Sequence, residues 1–214
     1  NEPSYIPLIA KRVAELKKGL EHVTSGKLKI YGESRLGDVT DEIEMLCKKI
    51  NPFAVIMGTK GASGLERLFL GSNTLTAIRN LSFPVMVIPP GAAYSGIRKL
   101  GFACDLNEVV ETTPSEKIRE VVNTFDAKLL VLNVDYKNRQ FKPDTPEESI
   151  LLHTLLEDLN PTYEYIDHPD VAEGIHEFAE KHGLDLVITI PKKHTLLEAL
   201  FQKSHTRDLV FHAH

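Results

Sequence analysis

Residues 53–74 read FAVIMGTKGASGLERLFLGSNT, an apolar run of strand length that gives way to glycines and then to a helical pattern. Phe53 to Met57 predicts a buried strand. Gly58 and Gly61 follow, nine residues intervene, and Gly71-Ser72-Asn73-Thr74 opens a helix carrying Leu75, Ile78 and Leu81. The pattern is G-x2-G-x9-G-S. A glycine at the end of a parallel strand lets backbone approach a ligand with no Cβ in the way, and the N–H groups of a helix start carry partial positive charge. An anion fits such a corner, and the Ser72 and Thr74 hydroxyls are candidates to add hydrogen bonds to phosphate oxygens. The corner falls at the carboxyl end of a strand, where open α/β sheets bind ligands. The pattern is not a P-loop: glycine pairs at that spacing, such as Gly32 with Gly37 and Gly91 with Gly96, are followed by Asp38 and Ile97 and never by Lys. Nor is Gly58-x2-Gly61-x2-Gly64 the dinucleotide fingerprint, which needs G-x-G-x2-G. G-x-S-x-G is absent.

Working outward, the chain repeats itself. Val187 minus Val55 is 132, and the same shift pairs Asp38 with Asp170, Val39 with Val171, Ile43 with Ile175, Leu65-Glu66 with Leu197-Glu198, Leu68-Phe69 with Leu200-Phe201, Ser72 with Ser204 and Thr74 with Thr206. A period this long is a whole domain rather than a solenoid unit. The Pro89-Pro90-Gly91 to Ser95-Gly96 stretch reads as a linker, which gives domains 1–95 and 96–214.

Each copy alternates short apolar runs with helical patterns, the signature of parallel strands with helices on both faces. In the first copy, Ile9, Val13, Leu16 and Leu20 recur at helical spacing, and Lys27 to Tyr31 reads as a weak edge strand. Asp38 caps a helix whose stripe is Val39, Ile43, Leu46 and Ile50, stopped by Pro52. Pro84 to Ile88 is a last strand, apolar throughout and therefore covered on both faces. The second copy predicts a strand Ile97 to Asp105, a helix opened by Thr113-Pro114 with Ile118, Val122 and Phe125, and a strand Leu129 to Val134. A helix capped by Thr145-Pro146, an edge strand Thr162 to Asp167, a helix from Asp170 to the Gly183 stop and a buried strand Leu186 to Ile190 complete it. Residues 97 to about 134 have no counterpart in the first copy, and at the same shift Pro84 to Ile88 would map to 216–220, beyond residue 214. A parallel sheet without its central strands leaves unpaired backbone along new edges. The expectation is that these residues belong to a longer chain or that the strands come by exchange from a second molecule.

Composition narrows the function classes. The 214 residues carry 25 Lys plus Arg against 30 Asp plus Glu, a net charge of −5, the wrong sign for broad phosphate-backbone binding, so nucleic acid is not the expected partner. No stretch approaches the roughly 18 consecutive apolar residues of a membrane span. Cys47 and Cys104 form no ligand cluster and read as buried small hydrophobes in a reducing compartment, which places the protein in the cytoplasm. Among nine histidines only His212-Ala213-His214 forms a close pair, with no partner at a ligand spacing, so no metal is expected. Asp144, Glu147 and Glu148 read as charges matched to a helix dipole, and Lys192-Lys193-His194 as a solvated loop.

The segment MGTKGASGLERLFLGSNTLTAIRNLSFPVMVIPPG, residues 57–91, resembles the nucleotide-binding end of the universal stress protein family, and the tandem arrangement resembles its two-domain members. The resemblance implies two Rossmann-like domains of the adenine nucleotide alpha hydrolase type, each a five-stranded parallel sheet whose central strands are those missing from the first copy. It implies ATP, with or without Mg²⁺, at the carboxyl edge, and it places Met57, Gly58, Gly61, Gly71, Ser72, Asn73 and Thr74 on the family's ligand-contacting positions. The second copy departs from the pattern: Ile190, Lys193 and Lys203 replace Gly58, Gly61 and Gly71, leaving Ser204 and Thr206, with Asp105 still ending its first strand. It reads as a degenerate site. Last strands in this family pair across domains, so Pro84 to Ile88 is the expected seam, within one chain or in a homodimer. With no nucleophile or general base in view, the expected function is a nucleotide-responsive stress regulator. The alternatives are a slow adenine-nucleotide hydrolase or kinase and an interaction module with a vestigial loop.

Overall fold

Strand and helix patterns separate in their outcomes in the computed structural model, which describes residues 5–59, 71–135, 145–190 and 209–212. The chain divides into two compact units, Asn1–Leu46 and Cys47–His214. The first holds helix α1, Tyr5–Val23, and the start of helix α2, Val39–Ile50. Ser25 and Gly26, both left-handed at φ 52° and 68°, end α1, and the Gly26 N–H closes on the Glu21 carbonyl at 2.9 Å. The chain returns along α1 at Gly32, where an added Cβ would stand 2.8 Å from Val13 Cγ1, so only glycine allows that approach. Arg35 then bonds Glu33 at 2.9 Å and Glu42 at 3.2 Å. Asp38 Oδ1 accepts the N–H groups of Thr40 and Asp41 at 2.9 and 3.2 Å, capping α2 as its sequence predicts. Asn51, left-handed at φ 45°, and Pro52 end it.

Lys27 to Tyr31 is a correction: it forms no strand, and Leu28 and Tyr31 are exposed. At the shift of 132 it corresponds to residues 159–163, of which Thr162 and Tyr163 begin a paired strand. What fails is the neighbour, since a strand is stabilised by the ladder beside it and no described strand lies alongside residues 27–31.

The second unit is built on one seven-stranded sheet. Its strands are β1 (Val55–Gly58), β2 (Val85–Ile88), β3 (Lys99–Ala103), β4 (Lys128–Asp135), β5 (Thr162–Asp167), β6 (Leu186–Thr189) and β7 (Leu209–His212), in the order β1-β2-β7-β6-β3-β4-β5. The helices are α3 (Ser72–Asn80), α4 (Val109–Thr112), α5 (Ser115–Phe125), α6 (Thr145–Leu156) and α7 (Val171–His182). The second copy is thus a five-stranded parallel sheet, β5-β4-β3-β6-β7. Its last strand, expected beyond residue 214, is β7. The ungapped shift misplaced it: β1 pairs Ile56 with Met86 and β6 pairs Ile188 with Phe211, so Met86 and Phe211 are equivalent at a shift of 125, seven less than 132.

Met86 and Phe211 also stand opposite one another where β2 meets β7, the antiparallel pairing in an otherwise parallel sheet. The seam is therefore symmetric about its own centre, as pairing of a strand with its equivalent must be. Pro84 to Ile88 lies at the junction of the copies, within the chain. Val85, Met86 and Val87 are buried, in line with an apolar strand paired on both edges. The core of the unit joins Leu100 and Phe102 of β3, Ile118 of α5, Val131 of β4, Leu152 of α6 and Ile188 of β6. The short α4 has no precursor in the sequence pattern. α7 keeps its predicted ends, with Asp170 Oδ1 accepting from Ala172 and Glu173 at 3.0 and 3.2 Å, and Gly183 left-handed at φ 60°.

Candidate functional site

At the carboxyl end of β1 the chain comes to Gly58 and Thr59, and after residues 60–70, which lie outside the described part, returns at Gly71 to start α3. Three hydrogen bonds lock these pieces together. The Thr59 N–H donates to the Ile88 carbonyl at 3.2 Å, the Gly71 N–H donates to the Thr59 carbonyl at 2.8 Å, and the Thr74 hydroxyl donates to the Gly58 carbonyl at 2.9 Å. The loop ends are thereby held between the sheet and the first turn of α3. Thr59 and Thr74 are both buried.

The first helical bond of α3 runs from the Leu75 N–H to the Gly71 carbonyl at 3.0 Å, so the N–H groups of Ser72, Asn73 and Thr74 lie ahead of the ladder. Gly71 at the N-cap offers no side chain to satisfy them, and the first turn carries no acidic residue. Ser72 and Asn73 are exposed. What the arrangement supplies is a cluster of backbone donors at the positive end of a helix, ahead of its hydrogen-bond ladder and with no carboxylate in its first turn. A Cβ built on Gly58 would meet nothing within 4 Å, so the space in front of it is open and any larger residue would project into it. The corner suits a phosphate-bearing ligand on this ground.

Of the residues singled out by sequence, Gly58, Gly71, Ser72, Asn73 and Thr74 come together at this corner. Met57 is half-buried one residue earlier on β1, and Gly61 lies outside the described residues. Thr74 differs from its expected role, because its proton is committed to Gly58 and the side chain braces the loop. Thr59 was missed. Its signal was position alone: a small polar residue directly after a strand-ending glycine, whose carbonyl receives the returning chain.

Ile190 takes the place of Gly58 and packs against the core, and Thr189, in the place of Met57, is buried. Lys193, Lys203, Ser204 and Thr206 lie outside the described residues, as do Asp144, residues 192–194 and residues 213–214. Asp105 is exposed and its Oδ1 accepts the Asn107 N–H at 3.2 Å. Glu148, in the first turn of α6, does more than face a dipole: its Oε2 accepts the Val109 N–H at 2.7 Å and ties α4 to α6. Cys47 and Cys104 are not joined in a disulfide. Among the described residues no group of three or more His, Cys, Asp or Glu is placed to hold a metal, and no described helix is long and apolar enough to cross a membrane.

The sequence model described as the universal stress protein family matches residues 5–89, which include the whole corner. Over these residues the chain is similar to the universal stress protein family. A universal stress protein of Methanocaldococcus jannaschii is 36% identical over 73 residues, 34% of this chain and 43% of that relative, so the match spans less than half of the relative's length. A universal stress protein from Archaeoglobus fulgidus has a similar fold at 15% identity, with a TM-score of 0.72 over 100% of this chain and 80% of that one. A Pseudomonas aeruginosa protein of unassigned function follows at 11% identity and a TM-score of 0.66, over 94% of this chain and 76% of its own. These two likenesses concern the fold. They agree with the α/β architecture and its parallel strands.

Proposed function

We propose that the chain binds one adenine nucleotide, ATP, in its first copy, residues 1–95, and acts as a nucleotide-responsive regulator in the cytoplasmic stress response rather than as an efficient enzyme. The observation that carries this reading is the open corner at Gly58 in front of the uncapped first turn of α3. The triphosphate lies against the Ser72, Asn73 and Thr74 N–H groups, with the Ser72 hydroxyl as an added donor, and Gly58 and Gly61 leave room for ribose and phosphate. Mg²⁺, where present, accompanies the triphosphate, since the corner supplies donors and no carboxylate of its own first turn. The second copy, residues 96–214, binds no nucleotide, a reading supported by Ile190, Lys193 and Lys203 standing where the first copy has Gly58, Gly61 and Gly71. The match of residues 5–89 to the universal stress protein family supports the stress-response role.

Isothermal titration with ATP, with and without Mg²⁺, tests the proposal. One site per chain is expected, together with a thermal shift equivalent to about 2.7 kcal/mol when ATP is at about 100 times its dissociation constant. Two equivalent sites per chain overturn the assignment to the first copy, and no heat at millimolar ATP overturns the function.

A further inference from the structure

A strand ends on carbonyls as well as N–H groups, and a bare carbonyl oxygen turns partial negative charge toward whatever lies beside it. At the carboxyl end of β1 two such oxygens, those of Gly58 and Thr59, stand next to the first turn of α3. Val55 and Thr59 donate to the Pro84 and Ile88 carbonyls, so the odd-numbered residues of β1 bond β2 and the Gly58 carbonyl points away from β2. Its donor comes from α3 instead: the Thr74 hydroxyl lies 2.9 Å from it, while the Gly71 N–H serves the Thr59 carbonyl at 2.8 Å.

The two bonds differ in what they ask of the sequence. Gly71 uses a backbone group that every residue except proline carries, whereas the bond to Gly58 exists only because a hydroxyl stands at position 74. That hydroxyl has one proton, and it is committed to Gly58. Thr74 is 4% exposed, so its side chain faces protein while its N–H stays with those of Ser72 and Asn73 ahead of the helical ladder. One residue thus adds a donor through its backbone and engages the neighbouring acceptor through its side chain.

We propose that Thr74 is a positioning residue that sets the charge preference of the corner: its hydroxyl holds the Gly58 carbonyl in a hydrogen bond, so that donors alone face the ligand and an anionic phosphate group is selected over an uncharged one. This role rests on the reading of the corner as a phosphate site. Without the hydroxyl the Gly58 carbonyl turns its negative end toward the phosphate, and Gly58 loses its tie to α3.

Titrations with ATP, tripolyphosphate and adenosine, each followed by the amide NMR shifts of Gly58 and residues 71–74, test this on three proteins: the 214-residue chain, Thr74→Val, which keeps the shape of the side chain and removes the hydroxyl, and Thr74→Ser, which retains it. Thr74→Val should bind ATP and tripolyphosphate about tenfold more weakly or worse, Thr74→Ser should stay within about threefold of the unaltered chain, and adenosine should act alike on all three. If Thr74→Val does not fold, Thr74→Ala is held to the same outcomes. Unchanged ATP and tripolyphosphate affinity without the hydroxyl overturns the proposal. So does a loss for adenosine as large as that for ATP, which marks a corner that has only loosened. Shifts with tripolyphosphate and none with ATP overturn the nucleotide reading, and the tripolyphosphate affinities of the variants then decide the role of Thr74; silence with both ligands overturns the two together.

Discussion

Ile56 and Ile188 hold the same place in two copies of one pattern, and two-thirds of one is exposed while the other has no accessible surface. Leu20 and Leu152 repeat the contrast at 53% and 1%. The helix formed by residues 39–50 and its equivalent at 171–182 show no such divergence: both have an aspartate N-cap and both end on a left-handed residue, Asn51 or Gly183. The difference lies in where the stabilising partners come from. A cap and a helical turn are closed by residues within five positions, so they survive in either setting. A strand and an apolar side chain are stabilised by distant segments, and the same residues lose their burial when those segments are absent.

The largest expected effect compares the two isoleucines. Ile188→Ala should cost about 2–5 kcal/mol, the range for truncating a fully buried isoleucine, whereas Ile56→Ala should stay within about 0.5 kcal/mol. Urea unfolding of both variants measures it, and equal costs would show that the β1 edge is covered.

Next comes the ligand corner, where the copies differ at Gly58 and Ile190 among other positions. Gly58→Ile places the residue of the second copy in the first, into space that holds no atom of the described residues within 4 Å. Stability should be unchanged and ATP affinity should fall by about 100-fold, which corresponds to about 2.7 kcal/mol. Titration alongside a thermal melt separates the two quantities. An unaltered affinity would place the ligand elsewhere.

The caps give a smaller and matched pair. Asp170→Ala and Asp38→Ala each remove an oxygen that accepts two backbone N–H groups. Each should cost about 1 kcal/mol of local helix stability. Hydrogen exchange in residues 39–42 and 171–174 reads each loss separately, and a cost confined to Asp170 would break the equivalence of the caps.

How much of this was legible in sequence follows the same division. Thr162–Asp167 was predicted to the residue, because alternation, flanking Asn160-Pro161 and the Asp170 cap are all local. The strand expected at Lys27 to Tyr31 rested on the same kind of signal and failed for want of a neighbour, which no local pattern reports. β7 was displaced because an ungapped shift cannot register a seven-residue contraction. At the corner, the glycines were legible since their spacing reflects backbone geometry. Thr59 was not, and the role of Thr74 was misjudged, because which groups a small polar side chain bonds depends on where the chain returns after residues 60–70.

Tyr31 and Tyr163 are the last equivalent pair, and they bear on the smallest effect. Tyr31 is exposed, whereas the Tyr163 ring stacks on His153 with centroids 3.6 Å apart and its hydroxyl is buried with no hydrogen-bond partner among the described residues. Burial, with the nearby Tyr165 as a lesser cause, pushes the Tyr163 phenol up to about 12. In the unfolded chain a tyrosine ionises near pH 10. Below that both states hold the proton, so the group adds no pH dependence. Between about pH 10 and 12 the unfolded chain releases the proton and the folded chain keeps it, so stability is lost as pH rises through this window. Tyr163→Phe should remove that part of the slope. At pH 7 it should change stability by less than about 1 kcal/mol, in the stabilising direction, because an unbonded buried hydroxyl is replaced by hydrogen. Tyr31→Phe should alter neither quantity. Urea unfolding at pH 7 and pH 11 for the two variants decides the matter: a Tyr163→Phe protein that is clearly less stable at pH 7 would mean that the hydroxyl has a partner after all.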